Sequence, residues 1–203
     1  MPRVKTTKQK PFTMTTELPT GRLGDPALDL AIRGAMTAYC AERERLFFAD
    51  AKREQKDGRS VANFYDECAC DPSYVSAKLV SVACSNQESL AGAHPGWHYA
   101  GFTFALAGGA AKEVKLQDVC APAAACTKRL TAVLLKLPDG PSTYDEATLS
   151  KYLAKPTFVL GETALRLLID EDLSGYAAHG LSCDLPYAEL GALSRLQPGA
   201  PTK

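Results

Sequence analysis

The sequence has no run of about 18 consecutive apolar residues, so no part of it is expected to cross a membrane as a helix. No apolar stretch follows the basic N-terminus, so no signal peptide is expected within it. Charge of one sign is missing too: 23 basic residues balance 23 acidic ones. A formal charge of zero supplies no bulk field toward nucleic acid or anionic lipid, and neither is expected as a partner. The one local excess, Arg3, Lys5, Lys8 and Lys10, reads as a flexible, solvated arm over residues 1–10. There is no CxxC pair: Cys68-Ala69-Cys70 is CxC, and five residues separate Cys120 from Cys126. Only three histidines are present, none at zinc-like spacing from these cysteines, so no metal is expected. Ala107-Gly108-Gly109-Ala110-Ala111-Lys112 lacks the spacing of a P-loop or a dinucleotide fingerprint and reads as a hairpin turn. No GxSxG elbow occurs. No cofactor is expected.

Cysteine, in contrast, is plentiful: seven residues, at 40, 68, 70, 84, 120, 126 and 183. Disulfides formed in an oxidising compartment account for that number better than metal binding, and an odd total leaves at least one thiol unpaired. Cys120 and Cys126 flank a loop short enough for one bridge to close. Cys68 or Cys70 could reach Cys84 across paired strands. Spacing alone does not decide the connectivity.

The apolar pattern predicts mixed architecture. Residues 11–18 alternate as a strand. Asp25-Pro26 starts a helix, because Asp caps free amides and Pro suits the first helical position. Leu28, Ile32, Met36, Tyr39, Cys40, Phe47 and Ala51 then form one stripe as far as Asp57-Gly58. The other side, with Arg33, Glu42, Arg43, Glu44, Arg45, Lys52, Arg53 and Glu54, reads as a solvated face. Strands are predicted over 61–70 and 74–84, joined by a turn at Asp71-Pro72-Ser73, and over 99–106, with 115–119 as an edge segment. A helix follows Cys126, another covers 144–154, and strands return at 156–160, 164–169 and 179–184 before a last helix over 186–196. Segregated strands and helices predict an α+β fold: a mainly antiparallel sheet, one long N-terminal helix and two or three shorter helices. Two closely packed subdomains are expected, 1–90 and 91–203, with a seam near residues 86–98 and a flexible tail over 197–203.

Few residues offer chemistry. Residues 88–120 hold the only tryptophan and two of the three histidines. His94 and His98 are separated by Pro95-Gly96, which argues against a shared helical face. His94 reads as a buried ring holding a turn, and Trp97 as either a plug over the core or an anchor for a partner. The acidic groups Asp170-Glu171-Asp172 and Asp66-Glu67 read as solvated turns. Trp97, His98, Tyr176, His179 and Tyr187 are the candidate contact residues, because loop aromatics give contact area at small entropic cost. Tyr187, in Leu-Pro-Tyr-Ala-Glu-Leu, also reads as packing against the sheet. No catalytic constellation is evident. The enzymatic alternative is a hydrolase of glycan or ester that uses His94 or His179 with an acidic partner such as Asp184.

The order of motifs carries a resemblance. Gly92-Ala93-His94-Pro95 after a strand, then Phe102-Thr103-Phe104, a glycine-bearing turn and Val114-Lys115-Leu116-Gln117-Asp118-Val119, resembles the signature of a bacterial extracytoplasmic domain-of-unknown-function family. That family is found in the anti-sigma factor RsiV and in the peptidoglycan deacetylase PdaC. The stretch from Phe158 through Tyr176-Ala177-Ala178-His179-Gly180 to Leu185-Pro186-Tyr187-Ala188-Glu189-Leu190 resembles its C-terminal part. The resemblance covers residues 10–197. It departs at Ala91, where the family has glycine, and at Phe102-Thr103-Phe104, where it has Asn-Phe-Asp. The cysteines are not a hallmark of the family, and the deacetylase domain is absent. The resemblance implies a periplasmic or envelope-anchored binding or sensor domain, with any signal or anchor outside these residues. It implies as partner a lysozyme-like protein or peptidoglycan.

Overall fold

The computed structural model describes residues 2–9, 12–90, 95–135, 149, 152–169 and 181–190. Strand β1 (Arg3–Gln9) is followed by β2 (Thr13–Pro19), α1 (Pro26–Lys56), β3 (Tyr65–Val75), β4 (Leu79–Ser89), β5 (Gly96–Ala107) and β6 (Ala110–Glu113). Helices α2 (Leu116–Val119) and α3 (Ala123–Leu134) come next. The chain then forms β7 (Phe158–Leu160), β8 (Ala164–Ile169), β9 (Leu181–Pro186) and α4 (Tyr187–Leu190). The fold is α+β as the sequence predicts, with a six-stranded sheet in the order β1 to β6 and a three-stranded sheet β7-β8-β9. All pairings are antiparallel except β2–β3, which α1 joins as a parallel crossover. No described helix is long and apolar enough to cross a membrane.

Local chemistry explains the helix ends. The Asp25 carboxylate accepts from the Ala27 amide at 2.9 Å, and Pro26 follows at the first helical position. The stripe Leu28, Ile32, Met36, Cys40, Phe47 and Ala51 is buried along one side of α1. It packs with Val80, Val82 and Cys84 on the same face of the large sheet. Toward the other end of the helix Phe47 and Ala51 meet Phe12, Met14 and Phe64.

Three disulfides reinforce this arrangement: Cys40–Cys68 ties α1 to β3, Cys70–Cys84 crosses the β3–β4 pair, and Cys120–Cys126 closes the loop before α3. The last was expected, and Cys70 rather than Cys68 is the partner of Cys84. Cys40–Cys68 was not foreseen. Alternation along β3 turns Cys68 and Cys70 toward the helix together, so each finds a different partner. Cys183 is the buried free thiol, and burial pushes it up to about 11, which leaves it unreactive at neutral pH.

The other face of the large sheet meets the small sheet at a polar seam. The Leu160 amide donates to Ser81 Oγ at 2.8 Å, the Ser73 hydroxyl donates to Leu160 O at 2.8 Å, and the Ser81 and Thr103 hydroxyls lie 2.7 Å apart. Gly101 makes the approach possible: a Cβ there would stand 2.1 Å from Phe158 O. A third core lies beyond, where Leu130, Leu134, Leu160, Leu165, Leu167 and Leu185 are buried together.

Several expectations are corrected. Residues 3–9 are not a flexible arm but edge strand β1, paired with β2 at seven positions and bridged from Lys5 and Arg3 to Glu17. No turn forms at Asp71-Pro72-Ser73; β3 continues to Val75 with a register shift between Pro72 and Tyr74. Pro72 lies beyond the point where β2 accompanies β3, which ends at Ala69, so it has a strand on one side only, at Val82 of β4, the edge-like position where proline is tolerated. Residues 116–119 are helical rather than an edge strand, because Asp118 Oδ2 accepts from the Lys115 amide at 2.8 Å and closes a turn. The glycine turn does join β5 to β6, with Gly108 and Gly109 at φ of 61° and 80°. The expected seam near residues 86–98 falls within the β4–β5 hairpin, which pairs at ten positions in one sheet.

Candidate functional site

The apolar stripe of α1 skips from Cys40 to Phe47, and the helical position between them is Arg43. Its guanidinium therefore points where the stripe points, into the space between helix and sheet. There Nε donates to Asn86 Oδ1 at 3.1 Å, and a terminal nitrogen donates to Glu88 Oε2 at 3.0 Å. The Asn86 amide donates in turn to Asp66 Oδ1 at 2.6 Å. On β5, His98 faces the same way, with Nε2 3.5 Å from Glu88 Oε1. Register fixes these neighbours: Asn86 lies opposite His98, and Glu88 opposite Gly96 and Asp66. The result is a connected row, His98–Glu88–Arg43–Asn86–Asp66, running from a half-open rim inward. Side-chain exposure falls from 21% at His98 to 17% at Glu88 and 16% at Arg43, while Asp66 is 2% and Asn86 0% exposed.

Electrostatics differ along the row. Burial raises the Asp66 carboxyl, and the Glu88 charge adds to this, while Asn86 and Arg43 oppose it; the balance is a group pushed up to about 6. Burial also raises Glu88, but hydrogen bonds and charge from His98 and Arg43 outweigh it and hold that carboxyl below the usual range. Two carboxylates that face each other across the β3–β4 pair are thus driven in opposite directions, one easily protonated in mild acid and one kept ionised.

Asp66 makes stability depend on pH. Its folded value, about 6, lies above the ordinary 3.8, so the fold favours the neutral form. That contribution is fully present below about pH 4 and is lost as pH rises through 6. Asp66→Asn keeps an acceptor for the Asn86 amide and removes the buried charge. It is expected to stabilise the protein by about 1–3 kcal/mol at pH 7.5 and to leave stability unchanged near pH 4, measured by urea denaturation. A variant less stable at pH 7.5 would mean that the ionised carboxylate is the form the fold requires.

The predicted contact residues are only partly brought together. His98 joins the row just described. Trp97 lies next to it on β5, not in a loop, so it faces the opposite side of the sheet. There it stacks on Tyr99 with ring centroids 6.5 Å apart, opposite Gln87, whose amide donates to Tyr65 Oη at 3.1 Å. Tyr187 is 6% exposed and its hydroxyl donates to Gly161 O at 3.1 Å, so it packs in the core. Tyr176, His179, His94 and Asp170-Glu171-Asp172 lie outside the described residues. Asp184, the acid suggested for a hydrolase, is held in a two-pronged ion pair with Arg166 at 2.6 and 2.9 Å, which keeps its carboxyl ionised.

Arg43, Asn86, Glu88 and Asp66 were missed by sequence reasoning. The gap in the α1 stripe was the signal for Arg43, and the alternation Asp66, Cys68, Cys70 was the signal for Asp66. Both share a face with buried cysteines. Among the described residues the sulfurs of Cys40, Cys68 and Cys70 form a group within 4.8 Å of one another, but all three are in disulfides and offer no thiolate to an ion.

No protein-family model matches the chain, and no curated protein does. Among solved structures, the chain is similar to a DUF3298 family protein from Pseudomonas aeruginosa PAO1, with TM-score 0.57, 16% identity and coverage of 98% of this chain and 96% of that one. It is also similar to a member of the DUF3298 family from Bacteroides fragilis NCTC 9343, with TM-score 0.53, 13% identity and coverage of 97% and 92%. At these identities the likeness is one of fold, and it extends over nearly the whole of each chain: an α+β architecture shared with bacterial domains of unknown function.

Proposed function

We propose that the chain is a non-catalytic extracytoplasmic binding or sensor domain of the type carried by RsiV and PdaC. The observation that carries this reading is the set of three disulfides within a bacterial fold shared from end to end. Disulfides persist in oxidising compartments such as the periplasm and the cell surface. The contact region is the end of the β4–β5 hairpin, where His98 and Glu88 face one side and Trp97 and Tyr99 the other. A partner seated on the rim can touch both sides, and the ligand is an envelope component.

Calorimetric titration with a lysozyme and with soluble muropeptides separates the two ligands implied by the resemblance. One of them is expected to bind, and His98→Ala or Trp97→Ala is expected to weaken it at least tenfold, about 1.4 kcal/mol. Heat from neither ligand overturns the reading.

A further inference from the structure

Two of the three disulfides lie against each other. Cys40–Cys68 and Cys70–Cys84 are buried in the core between α1 and the large sheet, and Cys40 Sγ stands 4.0 Å from Cys70 Sγ, close to contact. Neither bridge by itself requires this. It follows from the CxC spacing on β3, whose alternation sends Cys68 and Cys70 to the helix side together, and from Cys84, which faces Cys70 across the β3–β4 pair. The four sulfurs are therefore connected in series, Cys68 to Cys40 to Cys70 to Cys84, with a bond at each end and a contact in the middle. Cys183 and the Cys120–Cys126 bridge belong to the other core, with Leu130 and Leu160, and take no part.

We propose that these four cysteines are a redox relay in which the covalent tether of α1 moves from Cys68 to Cys70 when one bridge is reduced. A thiol reductant, two molecules of a monothiol or one of a dithiol, gives two electrons and two protons to Cys70–Cys84 and is itself oxidised to a disulfide. The Cys70 thiol so produced loses its proton, and its thiolate attacks Cys40 Sγ. The Cys40–Cys70 bond forms, the Cys40–Cys68 bond breaks, and Cys68 leaves as a thiolate that takes up the proton. Attack on Cys68 instead would close a bridge within one strand, where two residues of rise, about 6.6 Å, put the Cα atoms at the far limit of a disulfide. Reduction at Cys40–Cys68 leads to the same product, because the Cys40 thiolate then attacks Cys70 and releases Cys84. Helix α1 thus stays tied to β3 whichever bridge is opened. Asp66 precedes Cys68 by two residues on the same face of β3, and Arg43 lies about one turn beyond Cys40. The tether that moves is the one beside the buried end of the Arg43 row, and its shift to Cys70 loosens that row. The inference does not rest on the ligand proposed for the rim.

Mapping of disulfide connectivity by mass spectrometry, on protein equilibrated under native conditions, acid-quenched and alkylated, tests it. Cys84→Ser supplies the Cys70 thiol facing Cys40–Cys68 without any reductant, and Cys68→Ser supplies the Cys40 thiol facing Cys70–Cys84. From both ends a Cys40–Cys70 bridge is expected in at least about a tenth of the molecules, a ratio within tenfold of the native pairing. Wild type treated with limiting dithiothreitol should give the same bridge, so the test stands even where a variant fails to fold by circular dichroism. Absence of the bridge from wild type and from the folded variants, or its appearance only in urea, would overturn the relay. Cys68→Ser/Cys84→Ser and Cys70→Ser/Cys84→Ser lock the tether at Cys70 and at Cys68. The His98 ring resonances are expected to differ between these two proteins, and identical NMR spectra would overturn the link to the row.

Discussion

Gly101→Ala should destabilise the protein by more than about 3 kcal/mol, a fall of roughly 6–12 °C in the melting midpoint. The added methyl would lie 2.1 Å from Phe158 O and 2.7 Å from its carbonyl carbon. These are backbone atoms, held by the pairing of Phe158 with Leu167, so they cannot swing aside as a side-chain tip would. Relief requires the two sheets to part, and the seam of Ser73, Ser81 and Thr103 with Leu160 parts with them. Gly34→Ala makes the contrast. Nothing lies within 4 Å of a Cβ at that position on α1, and alanine there is expected to stabilise by about 0.5–1 kcal/mol. Differential scanning calorimetry on both variants decides the matter; a Gly101→Ala protein that melts with the wild type would show that the small sheet does not press against β5.

Arg43→Met should cost about 2–4 kcal/mol at pH 7.5, because it leaves Glu88 and the Asn86 carbonyl largely buried without their donor. The dependence on pH has a definite sign. Glu88 is held below its ordinary value of 4.5, so its contribution is present above that pH and fades as pH falls through its folded value. Without Arg43 the carboxyl loses one of the groups that keep it ionised, and the deficit should therefore be largest at neutral pH and shrink below pH 5. Adding Glu88→Gln to Arg43→Met removes the orphaned charge and should recover part of the loss, a coupling that urea denaturation of the single and double variants measures. Strict additivity of the two substitutions would sink the description of the row as one network.

Much of the architecture was legible because it rests on local rules. The Asp25-Pro26 start, the buried stripe of α1 and the double glycine between β5 and β6 each follow from a few consecutive residues. What escaped depends on neighbours distant in sequence. Strand β1 has no buried face, so no hydrophobic alternation marks it, and only its ladder to β2 makes it a strand. Pro72 looked like a turn because nothing in the sequence says that β2 ends beside Ala69. Asp66 looked solvated because its burial needs α1 folded over the end of β3, and Arg43 looked solvated among seven other charged residues on the helix. Trp97 and His98 read as one contact patch; a strand sends them to opposite faces.

The outer rim of the large sheet has a consequence for how copies of the molecule meet. Among the described residues, strand β1 leaves one row of amides and carbonyls with no neighbouring strand, the kind of template on which chains stack into fibrils. Its exposed side chains include Arg3, Lys5 and Lys8. Each of them is already matched with an acid, Arg3 and Lys5 with Glu17 and Lys8 with Glu44, so a second copy approaching edge to edge meets hydrated ion pairs that it would have to disturb. Charged side chains of this kind blunt an open edge.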